Sequence, residues 1–293
     1  MKRGVLVTAL IAALAYAAQA PADDIGKFVS KYTEENGKGY LQPFADAFGA
    51  CMNSGLFQSA HVSRVGLHLT VGVETMTAIV GDKQKTFTAK TEDFSPVKTV
   101  EAPTLFGKAE NLTVNGDAGT KYVFPGGMNV KRLPLLAPQA TIGSIMGTDL
   151  TVRWFSYAIG EDFGKIELFG WGIRHSLSQY MPLLPVVDIA VGYYSQSFKV
   201  GSVVDATASL ISLQGSVSRN ILVLYGGIGM ESSTLKIAYE PEKGGEEIQF
   251  DLKGGNKMRM TVGAGLRFPG FKLHADYNIA TINTLSLGIG FGN

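Results

Sequence analysis

The sequence predicts an all-β protein: a transmembrane, antiparallel, up-and-down β-barrel of about twelve strands, within a range of about 10–14, with an N-terminal helical plug or lid. Three observations predict this fold. Apolar and polar residues alternate with period two along most of the chain, and the N-terminus is typical of an exported protein. After that terminus, no apolar run reaches the length of about 20 residues that a membrane helix needs.

The alternation is clearest in residues 258–293. Successive side chains of a strand point to opposite faces, so the pattern predicts three strands, each with one apolar face and one polar or glycine-rich face. A soluble β-sandwich or a lipocalin-like barrel would show the same alternation, so other parts of the sequence have to decide. The apolar positions are Met258, Met260, Val262, Ala264, Leu266, Phe268, Phe271, Leu273, Ala275, Tyr277, Ile279, Leu285, Leu287, Ile289 and Phe291.

Composition narrows the class of protein further. The 36 glycines, 11 tyrosines and 16 phenylalanines are residues that fill strands, turns and membrane-interface belts. The formal net charge of +1 gives no electrostatic reason to expect a nucleic-acid partner. We therefore expect lipids of the outer membrane as the surroundings of the folded chain.

The N-terminal residues predict export. Lys2 and Arg3 precede an apolar run over residues 4–17, and Ala18-Gln19-Ala20 has the small-x-small pattern of a signal-peptidase site. We therefore expect a signal peptide over residues 1–20, export through the Sec pathway, and a mature chain that starts near Pro21. Together with the strand pattern, this predicts the outer membrane of a Gram-negative bacterium.

Residues 21–62 are predicted to form an N-terminal helical segment. A short helix after Asp23 and Asp24 would end at the cluster Asn36-Gly37-Lys38-Gly39. A second helix would follow, with Pro43 in its first turn and Asn53-Ser54-Gly55 at its end. Two interpretations stay open, a helix that packs on the domain and a plug or lid of a barrel. The apolar stripe of this second helix is Leu41, Phe44, Ala45, Phe48 and Met52.

Residues 63–293 are predicted to form the barrel, with a first strand over residues 65–73. Strands over 85–91 and 97–105 are less clear because Pro103 weakens the second, and 107–138 resembles a long loop. From residue 140 onward the alternation recurs to the end of the chain. Short connections at 147–148, 219 and 269–270 fall at one end and longer ones at 107–138, 158–164, 198–205 and 240–246 at the other, as in bacterial barrels. We also expect the last strand to pair with the first.

Several motifs along the mature chain resemble an uncharacterised family of Gram-negative outer-membrane barrels. These are Tyr40-Leu41-Gln42-Pro43, Asn53-Ser54-Gly55-Leu56, Phe124-Pro125-Gly126-Gly127, Phe163-Gly164-Lys165 and Trp171-Gly172-Ile173-Arg174-His175-Ser176. The resemblance implies a distant similarity to long-chain fatty-acid transporters, whose N-terminal segment plugs the lumen. The C-terminal strand resembles the signal that the barrel-assembly machinery recognises, although Gly292-Asn293 follow Phe291. The resemblance implies no activity.

Candidate chemistry is sparse in this sequence. His61-Val62-Ser63 has the spacing of some outer-membrane lipid hydrolases, but Arg64-Val65 follows it and it precedes the first strand, so we predict no catalytic residues and no enzyme. The four histidines are dispersed and the only cysteine, Cys51, has no partner cysteine, so no metal site and no cofactor are predicted.

The remaining candidates are polar residues on the predicted inward face of the strands. They either pair with each other and with the plug, because unpaired buried charges are costly, or line a polar pathway or pocket. The leading hypothesis is passive transport or binding of small molecules, hydrophobic ones among them, with no ligand identified. A structural or adhesive outer-membrane protein with a filled lumen is the alternative, and a lipid hydrolase is third. The inward candidates are His68, Glu74, Arg153, Arg174, Arg259, Arg267, His274, Asp276 and Asn278.

Overall fold

A computed structural model describes residues 34–160, 164–181, 186–239 and 248–292. The predicted signal peptide and the predicted first short helix lie outside these residues. The described chain begins with one α-helix, α1, and continues with fifteen strands, β1 to β15. Their bounds are α1 Glu34–Met52, β1 Val65–Ile79, β2 Thr86–Lys90, β3 Thr99–Pro103, β4 Leu112–Asn115, β5 Lys121–Phe124, β6 Arg132–Ile145, β7 Thr148–Gly160, β8 Gly164–Ser176, β9 Val187–Val200, β10 Val204–Arg219, β11 Leu222–Tyr239, β12 Ile248–Lys253, β13 Met258–Phe268, β14 Phe271–Ile279 and β15 Thr284–Gly292.

One antiparallel sheet closes on itself to form the barrel. Its order is β10-β9-β8-β7-β6-β1-β15-β14-β13-β11, and β11 pairs with β10 to complete the circle. β12 is an extra strand that extends β13, since both pair with the same side of β11: β12 with residues 234–239 and β13 with residues 222–230. The barrel therefore has ten strands, and the prediction of about twelve was too high.

The expected pairing of the last strand with the first is confirmed. β15 runs antiparallel to β1, with Val71 opposite Phe291 and Val73 opposite Ile289. On its other side β1 pairs with β6, from Val65 to Ile79. The closure therefore joins the two ends of the barrel sequence, so no edge of the sheet is left unpaired at this point.

The two surplus strands of the prediction belong to a region that lies apart from the barrel sheet. Residues 86–103 form a hairpin of β2 and β3, and residues 112–124 form a second hairpin of β4 and β5. The expected loop over 107–138 was also wrong, because it contains β4 and β5 and its last residues belong to β6. Pro134 and Pro138 lie in the part of β6 that pairs with β1 but has no partner on the β7 side, where a missing N–H breaks no ladder.

The difference in connection length between the two barrel ends is smaller than predicted. β7 to β8 and β9 to β10 are joined by residues 161–163 and 201–203, because these strands extend further than the sequence pattern indicated. The tight turns at Met146-Gly147, Asn220-Ile221 and Pro269-Gly270 occur where they were expected. The connection over residues 80–131 is the long one, and it carries both small hairpins.

The helix begins earlier than predicted, at Glu34, and Pro43 lies in its interior. The expectation that Asn36–Gly39 ends a helix was wrong because tertiary packing uses the glycines. A Cβ atom would lie 2.5 Å from the Phe250 ring at Gly37 and 2.3 Å from the Phe87 ring at Gly39, so only glycine permits this approach of the helix backbone. Four of the five residues of the predicted apolar stripe, Leu41, Ala45, Phe48 and Met52, are at most 3% exposed, and Phe44 is half-buried.

The two faces of the barrel wall differ sharply. Side chains on one face are buried against α1 and the segment that follows it, and this face is called inward below. The other face exposes large apolar side chains on neighbouring strands. No helix in the described part of the chain is long and apolar enough to cross a membrane. Exposed outward residues include Trp154, Phe169, Trp171, Ile173, Ile211, Leu213, Leu224, Ile228, Met260, Val262, Leu285, Leu287, Ile289 and Phe291.

Closure of the barrel predicts a specific cross-link. Cysteines at Val73 and Ile289 should form a disulfide on oxidation, because side chains of directly opposite residues have Cβ atoms about 4.5–5.5 Å apart. The control pair, Val73→Cys with Leu285→Cys, is displaced by four residues, about 13 Å along the strand, and should stay reduced. Thiol labelling of the folded protein measures both, and equal oxidation of the two pairs would contradict this register.

Candidate functional site

Arg153 of β7 is the centre of a buried polar network around the end of α1. Its side chain is 1% exposed and donates five hydrogen bonds, all to uncharged oxygens. Two acceptors are the side-chain amides of Gln139 on β6 and Gln196 on β9, at 2.8 and 3.0 Å. The others are the backbone carbonyls of Met52 at 3.1 Å, Ser54 at 2.8 Å and Gly55 at 2.7 Å.

Arg259 of β13 contacts the same helix end from another part of the wall. Its Nη1 donates to the Asn53 carbonyl at 2.5 Å and to Ser54 Oγ at 2.9 Å, and its Nη2 donates to the Ala50 carbonyl at 3.0 Å. Nη2 also lies 2.9 Å from Glu231 Oε2 on β11, an ion pair in which both side chains are 1% exposed. The carboxylate balances the buried guanidinium charge.

Together these contacts satisfy the last four carbonyls of α1, which have no partner within a helix. Gly49 accepts from the Asn53 N–H and Cys51 from the Ser54 N–H. Ala50 accepts from Arg259 and from Ser54 Oγ, and Met52 from Arg153 and from Gln196 Nε2. The partial negative charge of a helix C-terminus favours cations, so the two arginines suit this position.

A second cluster joins β1, β14 and β11. His274 Nε2 lies 3.0 Å from Glu74 Oε2, with both side chains at most 5% exposed. Asp276 accepts from Tyr225 Oη at 3.1 Å and from Asn278 Nδ2 at 2.6 Å. Gly288 faces the ion pair, and a Cβ there would lie 2.1 Å from the His274 ring, so the missing side chain makes room for it.

A third group of contacts lies nearer the tight turns. Arg174 of β8 forms a two-point ion pair with Asp149 of β7, at 3.1 and 2.5 Å, and also donates to the Ser59 carbonyl. Ser59 Oγ lies 3.2 Å from Ser216 Oγ, and the Ser216 hydroxyl accepts from the Ala60 N–H at 2.9 Å. The chain between α1 and β1 is therefore fixed to inward side chains of the wall along its length.

The helix itself contacts the inward faces of opposite walls. Its residues belong to one apolar cluster with side chains of β1, β6, β8, β9, β10 and β11, and with the two hairpins of residues 80–131. Phe48, for example, packs edge-on against Phe198 of β9, with ring centroids 4.9 Å apart. Burial raises the pKa of the Cys51 thiol to about 12, so this cysteine is uncharged at neutral pH.

Comparison with known proteins identifies a family but no activity. Residues 1–293 match the model of a family of unknown function, DUF6588. The chain belongs to this family. No curated protein sequence matches it.

Among solved structures, three proteins illustrate the similarity. The OmpT loop-deletion mutant of Vibrio cholerae, an outer membrane protein, is 11% identical, with 78% of this chain and 98% of that chain covered at a TM-score of 0.29. Ail, the attachment invasion locus protein of Yersinia pestis, is 10% identical, with 78% of this chain and 97% of that chain covered at a TM-score of 0.29. The toluene transporter TbuX of Ralstonia pickettii is 7% identical, with 83% of this chain and 92% of that chain covered at a TM-score of 0.31. Likenesses this low carry no argument about function.

The structure gathers seven of the nine predicted inward residues into these three groups of contacts. They are Glu74, Arg153, Arg174, Arg259, His274, Asp276 and Asn278. His68 and Arg267 are half-buried and form no hydrogen bond with these groups among the described residues, although His68 lies within electrostatic range of Asp149 and Arg174. His68 lies beside Gly143, and Arg267 is opposite Lys272 in the β13–β14 register.

Sequence reasoning missed several partners. Gln139 lay at the end of a predicted loop, and nothing in the local pattern distinguished Glu231 or Gln196 from other strand residues. The acceptors of Arg153 are mostly backbone carbonyls, which no residue type reveals. Asp149 had a usable signal, because it precedes the alternating apolar residues of β7 directly after a tight turn.

The two residues considered for a lipid hydrolase, His61 and Ser63, do not hydrogen-bond to each other and have different partners. Ser63 Oγ donates to the Val65 carbonyl at 2.7 Å, whereas His61 Nδ1 lies 3.0 Å from Asp188 Oδ1. The described residues contain no group of three or more histidine, cysteine or acidic side chains that could hold a metal ion.

The network predicts that Arg153 is a strong determinant of stability. Arg153→Ala should lower the free energy of unfolding by about 3–5 kcal/mol, because several charge-assisted hydrogen bonds of about 1.5–3 kcal/mol each are lost together. Arg153→Lys should recover only part, since an ammonium has three donors and no planar fork. Urea unfolding of the refolded protein, followed by tryptophan fluorescence, measures these effects.

Arg267→Ala serves as the matched control. Its side chain is half-buried and makes no hydrogen bond within the described part of the chain, so we expect a change below about 1 kcal/mol. Equal losses at Arg153 and Arg267 would mean that the buried network adds nothing beyond a general charge effect.

Proposed function

We propose that the protein is an outer-membrane barrel whose lumen is closed by its N-terminal segment, and that small uncharged molecules pass when this segment shifts. The observation that carries the proposal is the contact of residues 34–63 with inward side chains of opposite walls of a closed ten-stranded barrel. A segment that contacts opposite inner walls lies between them. The mechanism is diffusion and involves no catalysis.

Membrane location is supported by the outward face of the wall. Water-exposed strands usually carry polar residues, whereas this face carries aliphatic and aromatic side chains over nearly the whole circumference. A closed barrel satisfies its backbone hydrogen bonds between strands and can therefore stand in lipid. On this basis we propose outer-membrane lipids as the surroundings, Sec export, and insertion by the barrel-assembly machinery.

The plug is held by two kinds of contact, apolar packing and hydrogen bonds to arginines. From Tyr40 to Met52, α1 buries apolar side chains in one cluster with β1, β6, β10 and the small hairpins. Its end and the following residues depend on hydrogen bonds to Arg153, Arg174 and Arg259. Polar contacts can be exchanged for water when the lumen hydrates, so the arginine end is the part that we expect to open.

A second candidate function is a structural or adhesive outer-membrane protein with a permanently filled lumen. The complete satisfaction of the α1 carbonyls favours it, since opening would have to break several charge-assisted hydrogen bonds. The two candidates make opposite predictions for solute flux, so one experiment separates them.

Conductance in planar bilayers tests the gate. Arg153→Ala should raise the open fraction of the channel about 100-fold, the shift that corresponds to about 2.8 kcal/mol. As a control, Ser54→Cys with Thr284→Cys, in a Cys51→Ala background, joins two side chains whose oxygens lie 2.6 Å apart. Oxidation should abolish conductance and reduction should restore it. A folded Arg153→Ala barrel without any conductance would favour the filled-lumen alternative.

Lipid contact is tested by placing one charge on two exposed apolar sites. Leu287 of β15 is 52% exposed on the outward face, and Val97 is 67% exposed between β2 and β3. Leu287→Arg should destabilise the protein in bilayers by about 2–4 kcal/mol, the cost of arginine near the bilayer midplane, and Val97→Arg should have almost no effect. Equally small effects, measured by unfolding from vesicles, would show that the outward face meets water.

A further inference from the structure

The outer wall carries a set of six hydroxyl side chains on β9, β10 and β11. They form two cross-strand rows: one joins Ser195, Ser209 and Ser232, and the other joins Ser197, Thr207 and Thr234. We name these six residues the hydroxyl patch. They alternate along their strands with buried, inward residues such as Gln196, Ala206 and Leu235, so the patch is on the outward face.

The patch lies between the apolar part of the outward face and a row of charged residues, Lys199, Asp205 and Lys236. The next outward residues along the same strands are Tyr193, Ile211 and Met230, each at least 38% exposed, and β8 places Phe169 and Trp171 opposite Ser197 and Ser195. A hydroxyl that lipid or apolar surface separates from water costs free energy unless it forms a hydrogen bond, so a group that covers the patch has to supply partners.

The protein supplies only part of these partners. Thr207 and Thr234 share one hydrogen bond of 2.7 Å, and Ser209 and Ser232 share another of 2.9 Å. A hydroxyl has one hydrogen and two lone pairs, so each pair still offers one donor. Within the described ranges, the hydroxyls of Ser195 and Ser197 have no hydrogen-bond partner. The patch therefore presents donors and acceptors to a ligand.

The patch surrounds a concavity of about 250 Å³, lined by Tyr193, Ala208, Ser233 and five of the six patch residues. Pockets for whole drug-sized ligands measure about 300–1,000 Å³, so this one suits a single ring-sized group. The small side chains make the concavity, since a leucine at Ser209 or Ser232 would fill it.

The charges beside the patch balance one another. In the next row Lys199 lies 3.5 Å from Asp205, and Lys236 lies 4.0 Å from Asp251. Two cations and two anions give no net attraction for a phosphate. The ligand is therefore selected by hydrogen bonding, and an uncharged group with several hydroxyls matches best.

We propose that the hydroxyl patch binds the sugar headgroup of a neutral glycolipid. The sugar occupies the concavity, and the acyl chains lie along the apolar outward side chains of β9 to β11, including Ile211, Leu213 and Leu224. The proposal rests on the proposed membrane location, because only an amphiphile in the bilayer reaches both surfaces at once.

Native mass spectrometry of the detergent-purified protein tests it with three lipids of identical acyl chains. Glucosyl diacylglycerol should be retained about tenfold more than phosphatidylglycerol or diacylglycerol, the difference that one or two net hydrogen bonds give. Ser195→Ala with Ser197→Ala should remove this preference without affecting folding, because neither hydroxyl forms a hydrogen bond with the described residues. Ser209→Leu with Ser232→Leu fills the concavity and should do the same. Ser156→Ala, an exposed outward hydroxyl on β7, is the control.

Other outcomes overturn the proposal. Equal retention of the three lipids, preference for phosphatidylglycerol, or an unchanged preference in both double variants would exclude a sugar site. A protein dimer that the Ser209→Leu and Ser232→Leu variant dissociates would mean that the patch is an interface between copies. Heat-modifiable gel migration and membrane fractionation, run in parallel, report on the proposed function alone, so its failure is distinguishable from failure of the lipid site.

Discussion

Hydrogen bonds from two wall arginines to the end of α1 are the interaction on which the interior depends. A guanidinium away from water needs nearly as many acceptors as it has N–H groups, and side chains alone rarely supply five. The terminal carbonyls of a helix are a ready source, because they have no partner within the helix. Arg153 and Arg259 therefore require a helix end between them, and the helix end requires the arginines. Each would be costly to bury without the other.

This mutual requirement explains why the interior divides into two parts. Where α1 is continuous, its backbone is satisfied internally, and the wall facing it carries residues such as Ala78, Leu135 and Phe198. Where the helix ends, the wall changes to Arg153, Gln196 and Arg259. The period-two pattern of the strands stays the same across this boundary. The chemistry of the inward face follows the secondary structure of the segment that it surrounds.

The sequence predicts features that depend on local pattern better than features that depend on contacts between distant segments. The barrel, its closure and the apolar stripe of α1 follow from periodicities that each segment carries in its own residues. The number of strands did not follow, because the segments of β2 and β3 alternate like barrel strands, and only long-range pairing separates them from the barrel sheet. The start of α1 was hidden for a related reason: Gly37 and Gly39 normally end helices, but here they admit the rings of Phe250 and Phe87. Inward positions were predictable, whereas the acceptors of Arg153 were not, since they are backbone atoms from another segment.

The charge balance of the interior bears on what could pass. The charged groups of the three clusters comprise the guanidiniums of Arg153, Arg174 and Arg259. The carboxylates are those of Glu74, Asp149, Glu231 and Asp276. His274 lies 3.0 Å from Glu74 and, when it carries a proton, brings the sum of these groups to zero. Buried groups that balance one another add little net field along the axis, whereas the half-buried Arg267 and Lys272 add positive charge beside the Pro269-Gly270 turn. Under the proposed function, the balanced part of the lumen would discriminate by size and hydrogen bonding, and the positive charge beside the turn would disfavour cations.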